Sequence, residues 1–312
     1  MNRITQLVDG YIAYKHSLDF KINIEGSTLK RFAAFTEEVG FAGSLTLDIV
    51  YDWLNSFDSP SDWYRSRLYE TVRTFSRYAS VIDQNSSYLP KGTGACHGRT
   101  TPYILADREI AILMKELRGI YSPDGLRALS AVAAIGLLRA TGLRPSECIR
   151  LIDEDYNTKT QVITVRGTKF NKSRAVPLSD SAAENLEAFI EERGSLLRRP
   201  SPSLFVVTGG KSMNLRSLEY AWMLVRDFLL PNEGSTWPRR PPRLYDIRHT
   251  HATRTLERWL DAGYDVDALM PYLSAYLGHV KVADTYWYLT GTCTLLEKTS
   301  ERFARYAGGE QR

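Results

Sequence analysis

Residues suited to a buried helix face recur at helical spacing through the N-terminal part of the chain. One helix is predicted to begin at a Ser27/Thr28 cap, and a second follows about 40 positions later. The faces of these two helices are, in order, Leu29, Phe32, Thr36 and Val39, then Leu68, Val72, Phe75 and Ala79. The N-terminal segment is therefore predicted to be all-helical.

Two basic residues, Arg73 and Arg77, lie one turn apart on the polar side of the second of these helices. Such a pair is either an ordinary solvated face or a stripe that contacts phosphates in a groove of a nucleic acid. The sequence leaves both interpretations open.

The pattern changes after residue 102, where helices alternate with short strands. Helices are predicted around residues 105–118 and 126–140. Two short strands, Gln161–Val165 and Arg174–Leu178, flank a polar turn rich in Lys and Asn, which is typical of an antiparallel hairpin. The predicted fold is mainly α with a small antiparallel β-sheet.

Three further helices are predicted beyond the hairpin. Ser181-x-x-Glu184 has the form of a capping box that opens the first. Asp246 is predicted to cap the last, which ends at Gly263. Between them, five residues form a core stripe at helical spacing: Leu218, Ala221, Trp222, Val225 and Phe228.

A stretch without periodic apolar content separates the two segments. Residues 88–102 contain three glycines and two prolines, which is typical of a linker. The predicted organisation is a helical domain at 1–88, a linker at 89–102 and a larger domain at 103–312.

Composition restricts the function classes without choosing among them. The chain has 43% hydrophobic and 24% charged residues, a net charge of +4 and a pI of about 8.8, so any nucleic-acid surface must come from local clustering. Its three cysteines, Cys96, Cys148 and Cys293, form no CxxC pair, which predicts reduced thiols and argues against a zinc site. No signal peptide or membrane span is predicted, so a cytoplasmic, nucleoid-associated protein is expected.

Three separated stretches place strong anion-binding groups at a helix start or a hairpin tip. In the first, Ala140–Glu147, Arg144 lies in the bend between two helices with Glu147 one turn later. A lone arginine there would usually be structural. The hairpin tip, Arg166–Arg174, carries four cations in nine residues, which suits either a solvated turn or a loop that reaches into a DNA groove.

The third stretch runs from Leu244 to Arg254 and places Arg248 in a first helical turn. Tyr276-Leu-Gly-His279 and Thr285-Tyr-Trp-Tyr288 follow it. The chain contains 18 tyrosines, and each of them taken alone would ordinarily be interpreted as an aromatic residue that packs in the core.

Together these stretches resemble the tyrosine recombinase/phage integrase family over residues 101–306. The first arginine motif of the family is matched by Thr141 through Leu151, its hairpin by Thr168 through Leu178, and its second arginine motif by Tyr245 through Ala252. Its Leu-Gly-His motif is matched at 277–279, and its nucleophilic tyrosine normally follows that histidine by nine residues.

The resemblance implies a fold and a set of roles. It implies an N-terminal helical core-binding (SAM-like) domain joined to a tyrosine recombinase catalytic domain. It also implies that Tyr288 attacks a DNA phosphodiester to give a covalent 3′-phosphotyrosine, and that Lys169 protonates the departing 5′ oxygen to give a free 5′-hydroxyl. The catalytic residues that it assigns are Arg144, Lys169, Tyr245, Arg248, His279 and Tyr288.

Tyr245 stands where the family usually has histidine. A phenol with an ordinary pKa near 10 is a poor base, but it can donate a hydrogen bond to a phosphate oxygen. The proton acceptor for Tyr288 therefore stays open. His249 and His251 lie nearby in the sequence, but the first matches a structural position of the family and the second replaces a usual phenylalanine.

Further expectations concern partners. The resemblance implies double-stranded DNA as substrate, a homo-tetramer on paired sites, formed alone or with related recombinases, and no metal or cofactor. A C-terminal helix at 294–306 either packs on its own domain or is donated to a neighbouring protomer. The candidate DNA-binding residues are Arg73, Arg77, Arg166, Lys172, Arg174, Arg239, Arg240 and Arg243.

The predicted function is site-specific DNA recombination or integration for a mobile element. Two alternatives remain at this point. One is strand relaxation of the type IB topoisomerase kind, which uses a similar set of residues. The other is a catalytically idle DNA-binding accessory protein, which is supported only by Tyr245.

Overall fold

The computed structural model describes residues 1–92, 101–167, 173–230, 237 and 240–290. The chain forms two compact units, Met1–Thr100 and Thr101–Arg312. Because residues 93–100 are not among the described ones, the exact linker at 89–102 stays a prediction. Its first residues pack against the N-terminal unit, where Leu89 is buried and Pro90 O accepts a hydrogen bond of 2.8 Å from the Tyr69 hydroxyl.

The described N-terminal unit is helical, as predicted. Its helices are α1 (Arg3–Ser17), α2 (Asn23–Glu38), α3 (Leu47–Asn55) and α4 (Asp62–Ile82). The predicted stripe of α4 is buried throughout, and in α2 Leu29, Phe32 and Thr36 are buried while Val39 is exposed. The Ser27/Thr28 cap is wrong, because α2 begins at Asn23 without a side-chain cap.

An ion pair closes this unit on itself. Asp83 follows α4, is 2% exposed, and receives two hydrogen bonds of 2.9 and 2.8 Å from Arg3 at the start of α1. Ser86 donates a third hydrogen bond to the same carboxylate. The two ends of the helical segment are thereby joined.

The second unit is built around a central helix that packs against several others. Its helices are α5 (Asp107–Arg118), α6 (Leu126–Thr141), α7 (Pro145–Cys148), α8 (Asp180–Leu196), α9 (Leu215–Arg226), α10 (Asp246–Asp261), α11 (Val266–Leu277) and α12 (Ala283–Tyr286). The central helix is α6, in contact with α5, α8 and α10. Because it is surrounded, most of its apolar positions are buried.

A three-stranded antiparallel sheet packs on the helices. It consists of β1 (Tyr156–Asn157), β2 (Val162–Val165) and β3 (Arg174–Pro177) in that order, with Ile163 opposite Val176. A second pair, β4 (Val206–Val207) with β5 (Lys211–Ser212), was not predicted because two-residue strands have no recognisable alternation. The prediction of a mainly α fold with small antiparallel sheet is confirmed.

Three local predictions are corrected. Helix α8 begins at Asp180, so the Ser181/Glu184 capping box lies inside the helix. Phe228 falls beyond the end of α9 and is 59% exposed, outside the core stripe. Asp246 is the first residue of α10, not its cap.

A separate hydrophobic cluster of α10 and α11 positions the end of the described chain. Its buried members are Ala252, Leu256, Val266, Met270, Leu273, Leu277 and Tyr288. A short 3₁₀ turn, Trp287–Thr290, follows α12 and carries Tyr288 onto this cluster. Within the described part of the chain, no helix is long and apolar enough to cross a membrane.

Candidate active site

The C-terminal end of α11 holds three arginine side chains. Three consecutive carbonyl oxygens each accept a hydrogen bond from a different arginine: Tyr276 from Arg174 (2.9 Å), Leu277 from Arg248 (2.8 Å) and Gly278 from Arg144 (3.0 Å). The last carbonyls of a helix lack partners within the helix and carry its negative dipole end, so they attract cations. This helix end thus brings together side chains that are far apart in sequence.

Gly278 makes the close approach possible. It adopts a left-handed conformation with φ of +71° at the end of α11. A Cβ atom at this position would lie 2.7 Å from Nη1 of Arg174. Glycine is therefore required both by the backbone conformation and by the packed guanidinium.

Arg144 lies where the sequence predicts, in the bend before α7. Its Nη1 donates to Oε1 of Glu147 at 2.7 Å, and its backbone N–H donates to Oε2 at 3.1 Å. The side chain is 27% exposed. Three of its five N–H donors are used, at Glu147, at Gly278 O and at the Tyr245 hydroxyl, so two remain for a ligand.

Glu147 is shared between two arginines. Arg174 donates to its two carboxylate oxygens at 3.2 and 2.7 Å, in addition to the contact from Arg144. Burial disfavours its charged form, but the hydrogen bonds and charges of Arg174 and Arg144 outweigh burial and lower the pKa of Glu147 to about 2. The carboxylate therefore stays ionised and holds both guanidiniums.

Arg174 is positioned differently from what the hairpin pattern predicted. It was expected to face DNA, yet its side chain is 12% exposed and its Nε, Nη1 and Nη2 all contact Glu147 or Tyr276 O. The structure gives it an internal role, because a guanidinium committed in this way has few donors left for a phosphate.

Arg248 is almost completely buried in the first turn of α10, with 1% exposure. Its Nη1 donates to Gly142 O at 2.8 Å, and its Nη2 contacts Leu277 O at 2.8 Å and Nε2 of His279 at 2.9 Å. Burial lowers its pKa, while the nearby Tyr288 phenol raises it. Two of its N–H groups lie outside these three contacts, one of them the buried Nε, and the Tyr288 phenol lies within hydrogen-bonding reach of the guanidinium.

His279 follows the helix end and contacts α12. Its Nδ1 lies 2.7 Å from Oγ1 of Thr285, which is fully buried. Burial, and then the charges of Arg248 and Arg144, lower its pKa to about 4, so the imidazole is neutral at physiological pH.

Tyr288 occupies the centre of this arrangement. It is 3% exposed, and its ring is stacked on His279 with centroids 5.9 Å apart. Burial raises the pKa of its phenol, while the charge of Arg248 and a hydrogen bond from it act in the opposite direction. Tyr286, by contrast, is 40% exposed and donates to Oδ1 of Asp267 at 3.0 Å, away from the arginines.

Tyr245 caps α10 and is 38% exposed. Its ring makes an edge contact with His249, at 5.3 Å between centroids, and its hydroxyl forms a hydrogen bond with Arg144. The residue that replaces the usual histidine therefore shares the anion-binding space of the first arginine.

The two histidines of α10, His249 and His251, are neutral. Burial is the main cause that lowers the pKa of both His249 and His251 to about 4. His251 is fixed by Arg139 O at 3.0 Å and stacks on Tyr276. The ring of His249 lies 5.4 Å from that of Tyr288, and its buried Nδ1 has no hydrogen-bond partner among the described residues.

Two candidate DNA-binding arginines lie around the start of α10. Arg240 donates two hydrogen bonds to the buried carboxylate of Asp246, at 2.7 and 3.1 Å, and a third to Thr101 O. This candidate DNA-binding side chain is therefore committed to contacts within its own unit. Arg243 is 51% exposed and lies 3.5 Å from the same carboxylate.

The remaining candidates lie elsewhere. Arg166 is 57% exposed and pairs with Asp155 at 2.7 Å. On α4, Arg73 is 25% exposed and pairs with Glu70, whereas Arg77 is exposed. Lys169, Lys172 and Arg239 lie outside the described residues, as does the predicted helix at 294–306.

Sequence reasoning missed how these residues hold one another. The Glu147 carboxylate had a signal, since it stands three positions after Arg144, but its second partner, Arg174, lies 27 positions away. The contacts at the end of α11 had no signal, because they involve main-chain carbonyls whose partners are distant in sequence.

Comparison with known proteins identifies relatives of this chain. Residues 104–292 match the model described as "Phage integrase family". The chain is 34% identical to the protein y4rB of Sinorhizobium fredii, named as an integrase/recombinase, over 98% of each chain. It is 28% identical to tyrosine recombinase XerA of Pyrococcus furiosus over 65% of this chain and 63% of that protein.

Solved structures share the fold. The integrase of the Tn1549 transposon, in complex with a circular intermediate DNA, is similar with a TM-score of 0.66 at 16% identity, over 97% of this chain and 100% of that one. A lambda integrase bound to a core site is similar with a TM-score of 0.65 at 16% identity, over 93% and 96%.

Proposed function

The chain belongs to the phage integrase family and is a tyrosine-type site-specific recombinase, and from this premise we propose that Tyr288 is the nucleophile that cleaves and rejoins DNA strands. The observation that carries the assignment is the position of the Tyr288 phenol, buried beside Arg248 and stacked on His279. Tyr286, the competing tyrosine, points to Asp267 instead.

The arginines supply the binding energy for a phosphate. Attack on a phosphodiester places additional negative charge on its non-bridging oxygens, which preorganised donors stabilise. Arg144 has two N–H donors outside its protein contacts, Arg248 has two outside its contacts with Gly142, Leu277 and His279, and both guanidiniums are already fixed on the end of α11. A phosphate bound between them therefore meets fork-shaped donors that need little rearrangement.

The bond changes follow from this placement. Oη of Tyr288 forms a bond to phosphorus and loses its proton, while the bond from phosphorus to the 5′ oxygen breaks. Lys169, which the family motif assigns as the acid, protonates the departing 5′ oxygen. The phosphotyrosine retains an ester of the same kind, so a 5′-hydroxyl of another strand can reverse the step without ATP.

Tyr245 takes part as a hydrogen-bond donor in this proposal. Its hydroxyl lies at Arg144, where it can contact a non-bridging oxygen of the same phosphate. The replacement of histidine by tyrosine thus keeps a donor in place but leaves the site in need of a different base.

The assembly is proposed on the same premise. Double-stranded DNA is the substrate, as the Tn1549 and lambda integrase structures contain DNA, and a homo-tetramer on paired sites, formed alone or with related recombinases, carries out the exchange for a mobile element. Arg77, Arg166 and Arg243, which are exposed, are the described candidates for further phosphate contacts. The protein would act at the nucleoid in the cytoplasm.

A nicked suicide substrate tests the nucleophile. The short fragment that carries the free 5′-hydroxyl diffuses away after cleavage, so the strand cannot be rejoined and the covalent complex accumulates. We expect wild type and Tyr286→Phe to form the complex at similar rates and Tyr288→Phe to form none. Tyr286→Phe is the matched control, since it removes a phenol two positions away that lies on a different surface.

Three results would contradict the proposal. Failure of wild type to trap any covalent DNA, despite binding it, would support the idle accessory protein. Trapping by Tyr288→Phe but not by Tyr286→Phe would move the nucleophile. Relaxation of supercoiled plasmid without exchange between paired sites would favour the topoisomerase alternative.

A further inference from the structure

The open question of the proposed mechanism is which group receives the proton of Tyr288. The residue at the usual position of the base is a tyrosine, and three neutral histidines lie in the same unit. His251 is excluded by its hydrogen bond to Arg139 O and its place behind Tyr276. The choice is therefore between His249 and His279.

The two hydrogen bonds of His279 determine where its proton resides. Nε2 lies 2.9 Å from Nη2 of Arg248, and an arginine can only donate, so Nε2 must present its lone pair. A neutral imidazole carries one proton, which must then be on Nδ1. That proton points to Oγ1 of Thr285 at 2.7 Å, so the hydroxyl is the acceptor.

Thr285 is suited to hold this arrangement. It is fully buried, so no solvent replaces its hydroxyl as partner of Nδ1. It also lies on α12, three positions before Tyr288, so the group that orients the imidazole and the nucleophile belong to one short segment. The tautomer of a histidine is generally set by the hydrogen bond at its other nitrogen.

We propose, building on the function above, that Thr285 is a positioning residue that keeps the proton of His279 on Nδ1, and that Nε2 of His279 accepts the proton of Tyr288. As Oη of Tyr288 bonds to phosphorus, its O–H bond breaks and an N–H bond forms at Nε2. The resulting imidazolium then faces the phosphate, and it returns the proton to the phenol when the strand is rejoined.

Substrate binding makes this transfer feasible. In the free protein Nε2 is occupied by Nη2 of Arg248, whose charge also disfavours protonation of the ring. A phosphate bound at Arg144 and Arg248 brings a negative charge that offsets the two guanidiniums and competes for the same N–H groups. The lone pair of Nε2 is thereby released at the moment when the nucleophile needs a base.

His249 is less suited to the role. Its ring is held edge-on between Tyr245, Trp287 and Tyr288, and in the described residues nothing bonds to its Nδ1 to set a tautomer. It thus packs against the nucleophile but lacks a partner that would direct a lone pair toward it.

The test combines variants that remove or keep the Thr285 hydroxyl with a change in the acidity of the phenol at position 288. Thr285→Val removes the hydroxyl at nearly constant volume, and Thr285→Ser retains it. We expect the rate of covalent trapping to fall about 100-fold in Thr285→Val, at the low end of what acid–base catalysis contributes, and by only a few fold in Thr285→Ser. Thr36→Val, which removes an equally buried hydroxyl in the N-terminal unit, serves as control and should trap normally.

Incorporation of a fluorotyrosine at position 288 distinguishes a lost base from a damaged phosphate site. A more acidic phenol depends less on a base, so the defect of Thr285→Val should shrink with fluorotyrosine, while DNA binding stays unchanged. Equal effects of fluorotyrosine in wild type and Thr285→Val would overturn the inference. Rescue of His249→Asn but not of Thr285→Val would overturn it in favour of His249.

The outcome is separable from the proposed function. Trapping at the wild-type rate in Thr285→Val would overturn this inference alone and leave Tyr288 as nucleophile. Trapping by Tyr288→Phe would overturn the proposed function and this inference with it.

Discussion

The two units of the chain each contain a buried carboxylate bound by arginine, and the two are used differently. Asp83 of the N-terminal unit is paired with Arg3, which is 52% exposed, and with Ser86, and this pair joins the ends of one helical segment. Glu147 of the second unit is paired with Arg144 and Arg174, both of which also bind the end of α11.

The difference lies in where the uncommitted donors of each arginine lie. Arg3 uses two of its five N–H donors on Asp83, and because its side chain is half exposed the others meet solvent. Arg144 uses three donors, on Glu147, on Gly278 O and on the Tyr245 hydroxyl, and keeps two at the end of α11. A functional arginine is thus recognised by uncommitted donors that lie among other functional groups, and not by burial or ion pairing alone.

The largest expected effect is on the rate of covalent trapping, and it distinguishes Arg144 from Arg3. Arg144→Lys should lower the rate of covalent trapping by roughly 10²–10³-fold, because an ammonium group cannot replace the fork that meets both Glu147 and a phosphate. Arg3→Lys should leave the rate unchanged. Single-turnover trapping with saturating suicide substrate measures both, and an equal loss in the two variants would refute the distinction.

The second comparison concerns stability and pH. Glu147→Gln should destabilise the protein by roughly 3 kcal/mol at pH 7, since the pKa of the wild-type carboxyl is held near 2 instead of its ordinary 4.5. A lowered pKa gives stability that is complete above about pH 4.5 and is lost as the pH falls toward 2. The gap between wild type and variant should therefore narrow through that window in urea unfolding.

Asp83→Asn provides the control for this measurement. Its carboxyl also has a pKa well below the usual range, mainly because of the hydrogen bonds from Arg3. It should lower the stability of the N-terminal unit and leave covalent trapping unchanged. A loss of trapping in folded Asp83→Asn would show that the two carboxylates are not used differently.

The smallest effect compares two glycines in the left-handed conformation. At Gly40, with φ of +68°, a Cβ would meet nothing within 4 Å, so Gly40→Ala should cost only the backbone strain of about 1–2 kcal/mol. Gly278→Ala adds a contact of 2.7 Å with Arg174. It should be the more destabilising of the two in thermal unfolding and should also slow trapping. Identical behaviour would mean that Arg174 moves away freely.

Much of this site could be predicted from the sequence because its parts lie in local motifs. Arg144, Arg248, His279 and Tyr288 were each singled out by their neighbours in the chain, and the structure brings the four side chains together. Their catalytic roles remain predictions. The class of fold and the principal helices also followed from periodicity, which reports directly on which face is buried.

The rest depended on contacts between distant positions. Arg174 belongs to a hairpin rich in cations, and its contacts with Glu147, 27 positions earlier, and with Tyr276 O, 102 positions later, show that it faces inward. Helix α2 begins without a side-chain cap, so packing rather than capping sets its start. Neither feature leaves a trace in local sequence.

The end of α11 has a consequence for precision. The three arginines donate hydrogen bonds to the carbonyl oxygens of residues 276–278. Tyr288 follows ten positions after the last of these and packs in the cluster that α10 and α11 form. A displacement of α11 relative to the core carries the electrophile's binding groups and the nucleophile together. The distance between the nucleophile and the arginines therefore changes little when α11 shifts slightly within the protein.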